Sequence, residues 1–196
     1  MQDNDGDLSF EERQKKEIEA FFSSMSERPV HRVISLDLIE SLPDKDLIEA
    51  VYDIVWAAKQ DLIELLSSLP QGYAPVYLTM LVESEVGNGG FNQMFHNLPM
   101  ELVEAAIANY RAMNMPDIAE LVTKAKQLHE KELPKKKSSW LKGTLKGFME
   151  SYKYSSLDEV DRALWEQASA IEGKRAAFIR SHAHDFVGDF RELYSS

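Results

Sequence analysis

Residues 83–97 read ESEVGNGGFNQMFHN, and three glycines interrupt a stretch whose flanks are periodic like α-helices. Glycine adopts positive φ angles that other residues avoid. We therefore interpret Gly87 as the cap that ends one helix, and Gly89 and Gly90 as a sharp reversal before a second helix begins at Phe91. The predicted structural turn comprises Gly87, Asn88, Gly89, Gly90 and Phe91.

Helical periodicity also dominates the rest of the chain, and no segment has the alternating pattern of a β-strand. Short turns between the predicted helices indicate an all-α, antiparallel helical bundle. We predict a long helix from Asp44 to about Leu66, a charged linker or loop over residues 134–139, and a long final helix that opens with a capping box at Ser156 and Glu159.

Acidic residues outnumber basic ones, and the net charge is −11. Residues 1–133 carry 11 basic and 24 acidic side chains, whereas residues 134–153 carry 6 basic and 1 acidic. Most of such a surface repels nucleic acid and anionic membranes and attracts basic proteins. The basic segment departs from this pattern, and it is expected either to fold back on the acidic faces of the chain or to touch nucleic acid. Acidity also serves solubility alone in many proteins.

The amino-acid composition argues against several other classes of protein. The chain has no cysteine, which excludes disulfides and thiolate metal sites. No apolar run approaches the ~18 residues that a membrane span needs. The first residues lack the pattern of a signal peptide, so a cytoplasmic location is expected. We predict one helical domain over residues 13–196, with a basic loop or weak helix at 134–153, preceded by an acidic segment over residues 1–12.

An acidic stripe is predicted along the long helix that begins at Asp44. At ~100° per residue, its polar members fall within a sector of roughly 60°. Carboxylates at this spacing resemble successive phosphates of one DNA strand, although a solvated helix face has the same pattern. The residues that we predict to bind a partner through this stripe are Asp46, Glu49, Asp53 and Glu64.

The amino terminus resembles the last ten positions of a calcium-binding EF-hand loop. The candidate ligands are Asp3, Asp5, Asp7 and Glu12, with Gly6 at the sharp turn. Met1 stands where the first ligand belongs, so we expect no tight calcium site in the chain as written. The alternative is an acidic end that leads into a helix capped by Ser9 and Glu12.

An enzymatic alternative rests on the polar residues around the glycines. Glu83, Glu85 and His96 would form a small-ligand or catalytic site if a cleft brought them together. The chain has no recognisable nucleophile with an oxyanion hole, and His182, His184 and Asp185 lack the spacing of a metal site. We therefore favour a non-enzymatic protein without a cofactor.

The glycine segment also carries a family resemblance. Glu85, the Asn88 to Phe91 turn and the Phe95 to Asn97 segment resemble the bacterial domain of unknown function 4375 family, and the likeness extends in helix pattern from about residue 30 to a closing aromatic segment at Asp185 and Phe186. That family includes an acidic DNA-mimic protein that occupies the DNA-binding surface of a transcriptional regulator.

The resemblance implies a protein-binding module whose partner is a basic nucleic-acid-binding protein such as a transcriptional regulator. It also implies a homodimer. The acidic charge of the chain predicts that neither nucleic acid nor membrane is bound directly. An immunity-type inhibitor of a basic toxin is a further alternative, because it would need the same surface charge.

Overall fold

The computed structural model describes residues 30–56, 58, 62–140 and 145–194. Arg32–Ser196 form one compact unit, and Met1–His31 belong to a separate unit of which only Val30 and His31 are described. The predicted division between residues 12 and 13, like the candidate calcium loop, lies outside the described residues. Both stay predictions.

Within the described part of the chain, nine α-helices confirm the predicted all-α class. They are α1 Leu36–Ser41, α2 Asp44–Trp56, α3 Leu62–Ser68, α4 Tyr73–Asn97, α5 Met100–Ala112, α6 Pro116–Trp140, α7 Leu145–Ser151, α8 Asp158–Trp165 and α9 Ala168–Ser181. Single 3-10 turns follow α7 at Tyr152–Tyr154 and α9 at Ala183–Asp185, and another lies at Arg191–Tyr194.

Helix α4 is the centre of the bundle, with α2, α5, α6 and α8 packed around it. The two-residue strands β1 (Val33–Ile34) and β2 (Gly188–Asp189) pair in antiparallel register and join the two ends of the unit. The Tyr73 ring packs against Phe186 and Phe190, and its hydroxyl donates a 2.8 Å hydrogen bond to the Phe186 carbonyl. The carboxyl-terminal segment is therefore held against the start of α4.

The predicted helix from Asp44 to Leu66 is wrong beyond Trp56. Helix α2 ends there, and α3 is a separate helix that contains Glu64. The N–H of the buried Ala58 donates to the Val55 carbonyl three residues back, as in a tight turn. This i to i+3 bond replaces the i to i+4 pattern of the helix, which sequence periodicity does not reveal.

The predicted linker at residues 134–139 is also wrong, because α6 continues through Pro134 to Trp140. A proline inside a helix costs about 3 kcal/mol. Contacts of Lys136 offset this cost, since its buried Nζ lies 2.7 Å from Glu132 Oε2 and donates a 2.9 Å hydrogen bond to Asn92 Oδ1. One lysine of the basic segment is thus buried in the bundle, beside Glu132 of its own helix and Asn92 of α4.

The final helix is divided, and its predicted capping box does not form. Helix α8 begins at Asp158 after Leu157, which makes no side-chain cap, and α9 begins at Ala168. The backbone N–H of Ser156 instead donates a 2.7 Å hydrogen bond to Glu132 Oε1, and its hydroxyl bonds to the same oxygen. A tertiary partner on α6 has replaced the local one.

Candidate functional site

The glycine segment forms a kink inside α4. The backbone leaves helical geometry at Gly89 (φ −169°, ψ 31°) and at Gly90 (φ 69°, ψ 179°), and Phe91 begins the second half of the helix. Among the described glycines only Gly90 has a positive φ, and Gly87 lies within the first helical half. The interpretation of Gly87 as a helix cap is therefore corrected, because the interruption starts two residues later.

Side chains from distant segments satisfy the backbone groups that the kink frees. The Phe91 N–H donates a 2.7 Å hydrogen bond to Asp161 Oδ1, and the Tyr152 hydroxyl donates a 2.6 Å bond to the Gly89 carbonyl. A Cβ at Gly90 would lie 2.9 Å from Asp161 Cγ, so the carboxylate occupies the space that glycine leaves. Burial raises the pKa of Asp161, although the Phe91 hydrogen bond acts in the opposite direction.

A buried polar network continues from the kink into α6 and α7. Asn92 donates from Nδ2 to Ser151 Oγ at 2.9 Å and accepts from Lys136 Nζ, which is fully buried. Burial disfavours the charged form of Glu132, but hydrogen bonds from Lys136 and Ser156 outweigh it and lower the pKa of this carboxyl group. The network joins four chain segments through groups that would be costly to bury alone.

His129 lies beside this network, with its ring stacked on Phe95 at a centroid distance of 4.3 Å. It is only 3% exposed. Burial, followed by the positive charge of Lys136, lowers the pKa of His129 to about 4. The ring is therefore neutral at neutral pH.

A second polar cluster joins α4, α5 and α9. Glu83 Oε1 accepts a 2.8 Å hydrogen bond from the Tyr110 hydroxyl and forms an ion pair with the buried Arg175, whose Nη2 also donates to Thr79 Oγ1 at 3.2 Å. Burial, together with the charge of Glu83, raises the pKa of Tyr110 well above 10, so its hydroxyl stays protonated and donates.

The three residues of the enzymatic alternative have different partners. Glu83 holds Arg175, whereas Glu85 Oε2 accepts hydrogen bonds across the kink from Asn97 (2.7 Å) and Gln93 (3.3 Å). The His96 ring packs on Phe148 at 4.9 Å. Glu83 therefore links α4 to α9, whereas Glu85 links the two halves of α4 across the kink.

The acidic stripe that the long helix was predicted to carry is not one surface. Asp53 is only 4% exposed, and Glu64 stands on α3 rather than α2. Asp46 is exposed, and the half-buried Glu49 lies 4.0 Å from Lys45. The stripe is wrong as a continuous helical face because α2 ends at Trp56 and Asp53 points into the interior.

Exposed carboxylates also occur on elements that pack near the start of α2, an arrangement that sequence periodicity does not reveal. Helix α1 packs against α9 and against the Ala183–Asp185 turn, immediately before α2 begins. Exposed carboxylates on these elements make no ion pair among the described residues, whereas Asp44 is paired with Arg180. We call this group the acidic end, and it comprises Asp37, Glu40, Asp46 and Asp185.

The described ranges contain neither a cluster of metal ligands nor a membrane-spanning helix. No group of three His, Asp or Glu side chains there is arranged to hold a metal ion. None of the helices in that part of the chain is both long and apolar enough to cross a membrane.

The fold and the site thus define an all-α bundle with a structural polar interior and exposed carboxylates. The chain belongs to the DMP19-like protein family, whose match covers residues 67–182, more than half of the chain, and includes the glycine kink. This is a family of DNA mimics, which the resemblance implied; the name domain of unknown function 4375 stays a prediction. Comparison with the curated proteins and with the solved structures finds no match in either set.

Proposed function

We propose that this chain is a non-enzymatic, DNA-mimicking module that occupies the nucleic-acid-binding surface of a basic protein such as a transcriptional regulator. Membership of the DMP19-like family is the observation that carries the proposal. The net charge of −11 agrees with it, because clustered carboxylates attract surfaces that otherwise bind phosphates.

The acidic end is the contact surface in this proposal, in place of the interrupted stripe. Asp46 is common to both surfaces. Asp37 and Glu40 on α1 and Asp185 on the Ala183–Asp185 turn add carboxylates from two elements that pack together, none paired with a cation among the described residues. Unpaired charges remain available to a partner, whereas Asp44 is already neutralised by Arg180.

Catalysis at the kink is less favoured because its polar groups satisfy one another. The bond from Phe91 to Asp161 and the ion pair between Lys136 and Glu132 support the kinked backbone. An inhibitor of a basic toxin would use the same acidic surface, so the two functions differ in the partner alone.

Affinity capture followed by DNA competition tests the proposal. The chain is immobilised, a cell lysate is passed over it at low salt, and the retained protein is purified. A mimic and DNA bind the same surface, so duplex DNA should displace the chain from this protein. A retained protein that binds no nucleic acid, or one that DNA fails to displace, would overturn mimicry, and a retained basic toxin would favour the inhibitor.

Charge reversal locates the contact surface. The variant D37K/E40K/D46K/D185K should lose capture. A matched control reverses four exposed carboxylates elsewhere, Glu120, Glu159, Glu166 and Glu172, and changes the net charge by the same amount. Loss of capture in both variants would indicate net charge as the cause, and retention in both would remove the acidic end from the proposal.

We further propose a homodimer, which would place two acidic ends in one assembly and lengthen the array of charges. Sedimentation equilibrium of the purified chain measures its mass directly. A mass equal to the 22.4 kDa of one chain over the micromolar range would contradict this part of the proposal.

A further inference from the structure

A groove of about 320 Å³ lies between the end of α5 and one side of α9. Its volume is at the lower end of the range of small-molecule sites, which is roughly 300–1,000 Å³. None of the acidic-end residues lines it. The lining residues are Ala112, Met113, Asn114, Lys174, Ala177, Phe178, Ser181 and His182.

The lining combines apolar with polar side chains, which is the usual composition of a ligand site. Met113, Ala177 and Phe178 supply apolar contacts. Lys174 is exposed and makes no ion pair with any described residue, and the lining contains no Asp or Glu. The lining therefore carries one lysine and no carboxylate, on a chain whose net charge is −11.

Both walls of the groove are anchored to one residue. Tyr110, two positions before Ala112 on α5, donates to Glu83, and Arg175, next to Lys174 on α9, pairs with the same carboxylate. The Met115 N–H donates a 2.8 Å bond to the Tyr110 carbonyl and holds the turn that carries Asn114. The groove therefore exists before a ligand arrives, which reduces the entropic cost of binding.

We propose that this groove binds a small amphipathic organic anion, namely an aromatic carboxylate or sulfonate. The aromatic body lies against Phe178 and Met113, and the anionic group pairs with Lys174. The side chains of Asn114 and His182, which also line the groove, add polar contacts. This ligand complements both the apolar lining residues and the positive charge of Lys174, whereas an organic cation would meet Lys174 as a like charge.

Fluorescence titration with two dyes tests the proposal on the full-length chain. The first dye, 8-anilinonaphthalene-1-sulfonate, is an aromatic anion, and the second, N-phenyl-1-naphthylamine, is nearly the same body without the sulfonate. We expect one saturable site for the sulfonate, with a Kd at least tenfold lower than that of the neutral dye. Equal affinity for both dyes, or no saturable site, would overturn the proposal.

Variants then locate the site. Lys174→Gln should weaken binding of the sulfonate about tenfold and leave the neutral dye unchanged, and Ala177→Trp, which fills the groove, should abolish both. Lys124→Gln is the control for loss of an exposed lysine, and Trp165→Ala is the control for dye on exposed apolar surface, since Trp165 is 55% exposed. The assignment would be refuted if K174Q bound the sulfonate with the affinity of the parent chain. It would also be refuted if either control variant lost affinity for the sulfonate. Circular dichroism shows that each variant is folded.

Discussion

The backbone N–H of Phe91 and the carboxylate of Asp161 are 70 residues apart in sequence and 2.7 Å apart in the fold. Phe91 is the first residue of the helical half that follows Gly90. Helix starts leave backbone N–H groups without partners, and an acidic side chain there normally comes from the preceding residue. In this protein α8 supplies it, so the kink and the packing of α8 on α4 depend on each other.

Two substitutions of Asp161 should separate the effect of its hydrogen bond on stability from the effect of its charge. Asp161→Ala removes the acceptor and should lower the free energy of unfolding by about 1–2 kcal/mol, as loss of a helix cap does. Asp161→Asn keeps an oxygen acceptor and should lower the free energy of unfolding by less than Asp161→Ala does. Urea unfolding at pH 7 measures both. An equal decrease in the free energy of unfolding in both variants would show that the charge, rather than the acceptor, stabilises the kink.

The pH dependence of the same pair has a definite sign. Because burial raises the pKa of Asp161, the native state binds its proton more tightly than the unfolded state does. The contribution of this group to stability is complete below its usual pKa of 3.8 and decreases as the pH rises through the folded value. D161N lacks this titration, so its stability relative to the parent should improve from pH 3.5 to pH 7. A constant difference would contradict the raised pKa.

Gly90 and Gly87 should respond to substitution in opposite directions. Gly90→Val places a β-branched residue at φ 69° and a Cβ against Asp161, which should cost more than 1 kcal/mol of unfolding free energy. Gly87→Ala adds a methyl group on the exposed face of a helix with nothing within 4 Å, and should stabilise by about 0.5–1 kcal/mol. Thermal and urea unfolding measure both. A parent-like G90V would show that the chain tolerates another backbone path there.

His129 should make the protein sensitive to mild acid. The pKa of His129 is about 4 in the folded state, whereas its ordinary value of 6.5 applies to the unfolded state. The unfolded chain therefore takes up a proton first as the pH falls. The contribution of His129 to the free energy of unfolding is complete above pH 6.5. It decreases by up to about 3 kcal/mol as the pH falls toward 4. His129→Gln cannot titrate, and its unfolding free energy should depend less on pH in this window. An equal slope in parent and variant would refute the assignment.

Glu83 should behave as a structural residue. Glu83→Gln leaves the buried Arg175 without its counterion and should cost more than about 2 kcal/mol. Glu85→Gln, a matched change two residues away with neutral partners, should cost less than about 1 kcal/mol. Urea unfolding of E83Q and E85Q measures both losses of unfolding free energy. Unchanged stability of E83Q would return Glu83 to the list of candidates for catalysis.

Two features that depend on near neighbours in the sequence were predicted correctly. The start of a helix at Asp44 follows from such a local pattern. The interruption near Gly89 and Gly90 was also predictable, because a positive φ is a local property of glycine. Only the position of the cap at Gly87 was misplaced.

Tertiary contacts decided the candidate sites. Asp53 has the periodicity of an exposed stripe but is buried, and Lys136 reads as part of a basic linker but lies inside the bundle beside Asn92.

The sequence by itself therefore determined the helical class, the kink and the acidic character of this protein. Which carboxylates cap, pair or remain exposed was decided by tertiary structure. The physical reason is that a buried charge is stable only next to its partner, and here the partners lie from 4 to 92 residues apart along the chain.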